Sequence, residues 1–471
     1  MGSNPTSTAR LNIRGVRMRW RCCHGEGCDV LEPQGTLFFL LLVAAFGGLM
    51  VWLVVTKQVV FRVIAACLAF IPAMVFGIAA VNRYYDYYQT WGALFADLSG
   101  QAQSISQVTA AGLGKGTAKS LQSTIIGSTN AALDAQFGLL FRTTVTGPRS
   151  HISRQVYVYL PPQYFSKAYA AYRFPVVELL HGSPGLPSTW INVMDLLPVY
   201  QRLMLTGHAA PAVLVMPDTD GGMRYALQCL NDPHGLQDMT FVGREVPDWV
   251  AVTLRVQRPG MMWGIAGYSA GGYCAANIAL QYAARFGYAG VLSGYFAPLP
   301  SQVPLGGKPN GMPYDTNVFA HNRSLALRNT PDYYVQHVPL GIVVPQFFLA
   351  VGARDLTDLR GAEYFRQLLL NRVADVPLFT VPGAGHQGVV WRDALTPMLE
   401  WMTTGLAQQV QHYAQIAAND HAQAVRVAAA RARAARVAAA RARAAAHRLP
   451  PKTPHVAFPQ LTGSGKGRVS G

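Results

Sequence analysis

The sequence predicts an α/β fold with a mostly parallel central sheet, preceded by two transmembrane helices and followed by a basic Ala/Arg-rich helix. Three observations predict it. Short apolar runs around Val176, Val213, Ile265, Val291, Phe348 and Leu378 alternate with helical stretches, the pattern of parallel strands covered on both faces. Thr36 to Val55 carries no charged residue and is long enough to cross a bilayer core, and Val63 to Val81 is similar and slightly shorter. Farther on, Arg426 to Ala435 recurs residue for residue as Arg436 to Ala445, and alanine and arginine both favour helix.

Taken in chain order, residues 1–35 form a basic tail with Arg10, Arg14, Arg17, Arg19 and Arg21. Residues 36–82 hold the two spans, which account for a chain that is 51% hydrophobic and only 13% charged. A cleaved signal peptide is not expected, because the first apolar stretch is too long and begins too late. Tyr84, Tyr85, Tyr87, Tyr88 and Trp91 follow the second span directly and suit an interfacial aromatic belt. Residues 83–142 read as a spacer rich in Ser, Thr, Gly, Ala and Gln, and residues 143–405 as the domain that holds the strand and helix alternation. Residues 406–448 form the Ala/Arg-rich helical extension, and 449–471 a Pro- and Gly-rich segment expected to be disordered.

Within 143–405 the punctuation after each strand carries chemistry. An early strand alternates Val156, Val158 and Leu160 with Gln155, Tyr157 and Tyr159 until Pro161-Pro162 stops it. The run Phe174 to Leu180 ends at His181-Gly182-Ser183-Pro184-Gly185, a turn with two glycines. The run Trp263 to Ala266 ends at Gly267-Tyr268-Ser269-Ala270-Gly271, followed by small residues that suit a helix. This is a G-x-S-x-G nucleophile elbow, which makes Ser269 the candidate nucleophile. The run Pro345 to Val351 leads to Asp355, and Val376 to Val381 leads through a Gly-rich loop to His386. Serine, acid and histidine in that chain order, each just past a parallel strand, are what an α/β-hydrolase needs. His386 is then the base and Asp355 its orienting partner, with backbone N–H groups of Ser183 and Ala270 as the oxyanion donors.

Neighbouring polar residues have plainer readings. His181 suits a loop-ordering role, Asp218 and Asp220 suit the Gly221-Gly222 turn, and Tyr268 suits packing. Trp391 should start the last helix and pack beneath the histidine loop. No cofactor and no metal is expected, since Cys22, Cys23, His24 and Cys28 match no established ligand spacing.

The segments Val158 to Pro162, Leu180-His181-Gly182, Met216-Pro217-Asp218, Gly267 to Gly272 and Gly385-His386 with Trp391 resemble the esterase family of α/β-hydrolases. That family includes esterase D-like enzymes and the actinobacterial antigen 85 mycolyltransferases. The resemblance covers about residues 140 to 405, and the Ala/Arg-rich, high-Gly composition resembles a membrane-anchored actinobacterial member. It implies a triad of Ser269, Asp355 and His386. The family's acid is Asp or Glu, and Asp358 lies one turn beyond Asp355. It further implies an ester or acyl-lipid substrate, with hydrolysis through an acyl-enzyme as the first expectation. Transfer of the acyl group to a cell-envelope hydroxyl is the alternative, and a non-catalytic envelope-binding protein with a misaligned triad is a third.

Charge and cysteines bear on which side of the membrane the catalytic domain occupies. The basic tail would hold the N-terminus in the cytoplasm, and a two-span hairpin would return the catalytic domain there too. The family resemblance implies the extracytoplasmic side, which is the side expected here. Pairing of Cys229 with Cys274 would fit that oxidising compartment. Residues 406–471 hold ten of the 39 Lys and Arg but one of the 23 Asp and Glu. On a helix, Arg426, Arg433, Arg436, Arg441, Arg443 and Arg448 share one broad arc, suited to an anionic surface, and nucleic acid is not the expected partner.

Overall fold

In the computed structural model, residues 31–99, 124–125, 134, 136–183, 185–221, 229–296, 322–339 and 341–446 are described. The two apolar runs form α1 (Thr36–Val55) and α2 (Val59–Tyr85), both long and apolar enough to cross a membrane. They pack on one another across the short turn 56–58. No residue of α1 is buried. Thr90 caps a third helix, α3 (Trp91–Leu98), its hydroxyl accepting the Ala93 N–H.

Nine strands are present among the described residues: β1 (Thr124–Ile125), β2 (Leu139–Thr146), β3 (Ser153–Leu160), β4 (Val176–Leu180), β5 (Val213–Pro217), β6 (Gly260–Tyr268), β7 (Phe286–Leu292), β8 (Gln346–Gly352) and β9 (Leu378–Val381). They lie in one sheet in the order β1-β2-β3-β5-β4-β6-β7-β8-β9. The pairings from β1 to β5 are antiparallel, and β5, β4, β6, β7, β8 and β9 run parallel. The sheet therefore begins ahead of Thr143, with β2 starting at Leu139. Strand order reverses at β4 and β6, so the loops leaving their carboxyl ends diverge and open a crevice there.

Successive side chains point to opposite faces, and the two faces build two cores. Val156, Val158, Val176, Ile265 and Leu349 pack on one side with Phe241, Ile278 and Phe365. Tyr157, Tyr159, Val177 and Ala266 pack on the other with Trp190, Tyr200, Trp391 and Met398. The elbow helix α4 (Ala270–Gln281) covers the first face, buried from Gly271 to Leu280. A disulfide joins Cys274 of α4 to Cys229, the pairing expected from the oxidising-compartment reading.

The last helix, α6 (Gly388–Ala446), follows α5 (Leu356–Leu370) and β9. Its first part belongs to the compact unit that runs to Val410, and its continuation belongs to a second unit from Gln411. Residues 411–445 are exposed throughout, including Arg426, Arg433, Arg436, Arg441 and Arg443. Arg448, segment 449–471 and the Cys22, Cys23, His24 and Cys28 cluster lie outside the described residues.

Candidate active site

Ser269 sits where β6 turns into α4, with φ 53° and ψ −123°. A non-glycine residue held at positive φ is strained, and such strain persists only where the surroundings over-determine it. Here they do. The Ser269 N–H donates to Leu292 O at 2.9 Å, and its carbonyl accepts the N–H groups of Gly272 and Tyr273. A Cβ on Gly267 would overlap the Gly271 carbonyl, and one on Gly271 would overlap the carbonyls of Leu180 and His181. Both flanking positions of the pentapeptide thus have to be glycine for the turn to close against β4.

The strand-end loops bring the remaining residues together. His386 Nε2 lies 2.9 Å from Ser269 Oγ. On its other side Nδ1 faces two carboxylates, Asp355 Oδ2 at 3.0 Å and Asp358 Oδ2 at 3.1 Å. Sequence reading placed Asp355 here and noted Asp358 without using it. The signal was their spacing: Asp355 is the N-cap of α5, its Oδ1 accepts the Asp358 N–H, and residues three apart share a face in the first helical turn. Burial alone would lower the basicity of His386, but the two carboxylates outweigh it and push the imidazole up to about 9. Burial also acts on the acids, yet the imidazole holds Asp355 below the usual carboxylate range, while burial and the neighbouring Asp355 raise Asp358.

Ser183 and Ala270 line the same cleft as Ser269. Ala270 opens α4, so its N–H stands among the first helical amides, where a helix has no internal acceptors and its dipole favours negative charge. The turn after β4 passes close by, since a Cβ on Gly182 would lie 3.2 Å from Ser269 Cβ.

His181 behaves as the loop-ordering residue of the plainer reading. Fully buried, it donates from Nδ1 to Gly182 O at 2.8 Å and accepts the Thr219 N–H at Nε2 at 3.1 Å. Asp218 Oδ1 accepts the N–H groups of Asp220 and Gly221, closing the turn. His181, Asp218 and Asp220 bring ligand-type atoms within 4.8 Å of one another, as do Asp355, Asp358 and His386. In the second group the facing atoms serve the triad hydrogen bonds just given, and in the first His181 Nε2 and Asp218 Oδ1 serve the turn. Trp391 lies beneath the histidine loop, its ring 5.7 Å from the imidazole and 4.6 Å from the Tyr268 ring.

The aromatic cluster after α2 divides. Tyr84 and Tyr85 are exposed, as an interfacial belt requires. Tyr87, Tyr88 and Trp91 instead turn toward protein. Tyr87 Oη is 3.4 Å from Tyr268 Oη, Tyr88 donates to Asp97 at 2.9 Å, and the Trp91 indole donates to Leu31 O. A run of aromatics at a span's end reads the same whether its partners are headgroups or a docked domain, which is why the sequence did not separate them.

Residues 149–402 match the family described as Putative esterase. The chain belongs to this esterase family. A curated relative, an uncharacterized protein of Corynebacterium glutamicum, is 24% identical over 278 residues, which are 57% of this chain. The match spans 62% of that relative, less than two thirds of its length. Among solved structures, a ferulic acid esterase is 21% identical, with a TM-score of 0.47 over 61% of this chain and 99% of that one. An S-formylglutathione hydrolase of Agrobacterium tumefaciens is 19% identical, with a TM-score of 0.46 over 60% and 99%. A substrate-bound fluorophosphonate-binding serine hydrolase F of Staphylococcus aureus is 18% identical, with a TM-score of 0.46 over 56% and 98%.

Proposed function

We propose that this member of the esterase family is a membrane-anchored serine hydrolase that cleaves carboxylic esters through an acyl-enzyme on Ser269. The observation that carries the reading is the 2.9 Å approach of Ser269 Oγ to His386 Nε2, with the opposite ring nitrogen held by carboxylate. In the neutral imidazole Nδ1 bears the proton and donates it to Asp355, leaving the Nε2 lone pair aimed at the hydroxyl. Ser269 attacks the ester carbonyl as its proton passes to Nε2, and the imidazolium returns that proton to the departing alcohol. The oxyanion forms beside the start of α4, where N–H groups of Ala270 and Ser183 stabilise it. Water then takes the place of the alcohol and releases the acid. A hydroxyl acceptor in that same position would make the reaction an acyl transfer.

The non-catalytic alternative requires a misaligned triad, and the hydrogen-bonded chain from Ser269 to the two aspartates argues against it. Helices α1 and α2 support the anchor, and the Cys229–Cys274 disulfide supports an oxidising, extracytoplasmic side for the catalytic domain. The exposed arginines of the second unit suit contact with anionic headgroups. The test of the central reading is fluorophosphonate labelling of the detergent-solubilised protein beside Ser269→Ala, together with hydrolysis of p-nitrophenyl esters. Labelling and turnover lost in the variant are expected. A well-folded wild-type protein that neither labels nor turns over would end the serine-hydrolase reading.

A further inference from the structure

The cleft that holds Ser269 has a volume of about 1260 Å³, above the usual range for small-molecule sites, and it does not end at the hydrolase. Its far wall is built by the segment that precedes the sheet: Phe38 of α1, Val75, Ile78 and Ala79 of α2, and Leu94 and Leu98 of α3. From Val75 to Tyr85 this wall follows α2 for about 15 Å at 1.5 Å per residue. Ser269, His386 and the two aspartates line the same cleft.

Two polar side chains of the outer part, Asn82 and Asp97, are already engaged. Asn82 exchanges two hydrogen bonds with the Tyr88 backbone, both at 2.8 Å. Asp97 is buried and accepts from Tyr88, Ser188 and Thr189. Apart from the Tyr85 hydroxyl at its inner end, what α2 presents to a ligand there is hydrocarbon, on a helix that is itself apolar enough to cross a bilayer. Ile78 and Val81 line the cleft and are 64% and 58% exposed, so the wall continues into the helix surface that would face lipid.

We propose that the substrate is an ester of a long-chain acyl group carried by a membrane lipid, and that it passes sideways from the bilayer into this cleft. Its acyl chain lies along α2, and its carbonyl reaches Ser269. The proposal rests on Ser269 being the nucleophile. It has an energetic signature. A methylene moved from water to an apolar wall changes binding about fourfold. A chain already dissolved in the bilayer gains nothing of that kind on entering the cleft, so soluble esters should show a steep chain-length dependence and bilayer-embedded esters a shallow one.

The deciding experiment uses the full chain in phospholipid vesicles and a fluorophosphonate bearing a long alkyl chain with a diazirine near its end. After the adduct forms on Ser269, illumination and peptide mapping should find crosslinks in α2 between Val75 and Val81, or at Phe38. Crosslinks confined to hydrolase peptides would overturn the proposal while leaving the nucleophile intact. If neither this probe nor a short-chain fluorophosphonate forms an adduct, the serine-hydrolase reading fails and the proposal goes with it. As a second measurement, Ala79→Trp should lower the ratio of kcat/KM for long-chain over acetyl esters by about 16-fold, the loss of roughly two methylenes of contact. An unchanged ratio in folded Ala79→Trp protein would also count against it.

Discussion

Two carboxylates on one imidazole nitrogen make an unusual prediction about removing either of them. In a serine hydrolase with a single orienting acid, replacing that acid with its amide lowers kcat by about 10⁴, because the histidine settles in the wrong tautomer. Here Asp355 and Asp358 stand 3.0 and 3.1 Å from the same Nδ1, so each can hold the tautomer when the other is neutralised. Asp355→Asn and Asp358→Asn should therefore each lose only about 10- to 100-fold, and the double variant should fall to the full loss of about 10⁴. Steady-state kcat for the three variants gives a double-mutant cycle whose coupling is far from zero. The pH profile supplies a second reading. With both carboxylates present His386 titrates at about 9, so kcat/KM should climb with pH until the imidazole is deprotonated. Removing one charge should move that limb down by about 1 unit or more. If Asp355→Asn alone loses the full 10⁴, or if the limb stays in place in both single variants, the shared-acid reasoning is wrong.

Other outcomes follow from the same structure. The disulfide closes a loop of 45 residues, so Cys229→Ala/Cys274→Ala should lose about 4 kcal/mol of stability, and reductant should lower the wild-type melting temperature but not the variant's. Glu178 is fully buried on β4, and burial raises its carboxyl well above 4.5 against the weaker pull of Arg285. A raised folded pKa gives stability that is complete below the unfolded value and lost as pH rises, so Glu178→Gln should stabilise the protein at pH 7. That gain should vanish near pH 4.5 in paired thermal melts, and a gain independent of pH would refute the assignment. In intact cells, a membrane-impermeant fluorophosphonate should label Ser269 if the catalytic domain lies outside, whereas labelling only after lysis would put it in the cytoplasm. Deleting residues 420–448 should weaken binding to anionic vesicles and leave binding to neutral ones unchanged.

The parallel strands, the elbow and the histidine loop were legible because each is written locally. An apolar run of strand length followed by a glycine turn has few other meanings, and G-x-S-x-G after such a run has fewer still. The two apolar helices were legible for the same reason, with α1 beginning and ending at Thr36 and Val55 as read. What sequence did not reveal depends on partners distant along the chain. Asp358 is visible one turn beyond Asp355 as a second candidate acid, but that both carboxylates face the imidazole together is not, since a first-turn position favours carboxylates whatever they face. Tyr87, Tyr88 and Asp97 read as juxtamembrane and spacer residues, and only the fold brings Asp97 to Ser188 and Thr189, some 90 positions away. Glu178 sits inside an apolar run, where a single carboxylate gives no hint of how completely it will be enclosed.

The loop that carries His386 is tied to the end of α2. Gln387 accepts the Gly385 N–H and donates to the Tyr84 carbonyl, and Arg392 reaches the carbonyl and carboxylate of Asp86. The anchor proposed for α1 and α2 is therefore not an interchangeable tether. Cutting the protein free at residue 100 to obtain a soluble enzyme would strip the loop of these supports and strip the cleft of its outer wall. Grafting an unrelated span in its place would restore attachment without restoring either. The end of α2 and the histidine loop therefore form one mechanical unit, in which displacing the first displaces the second.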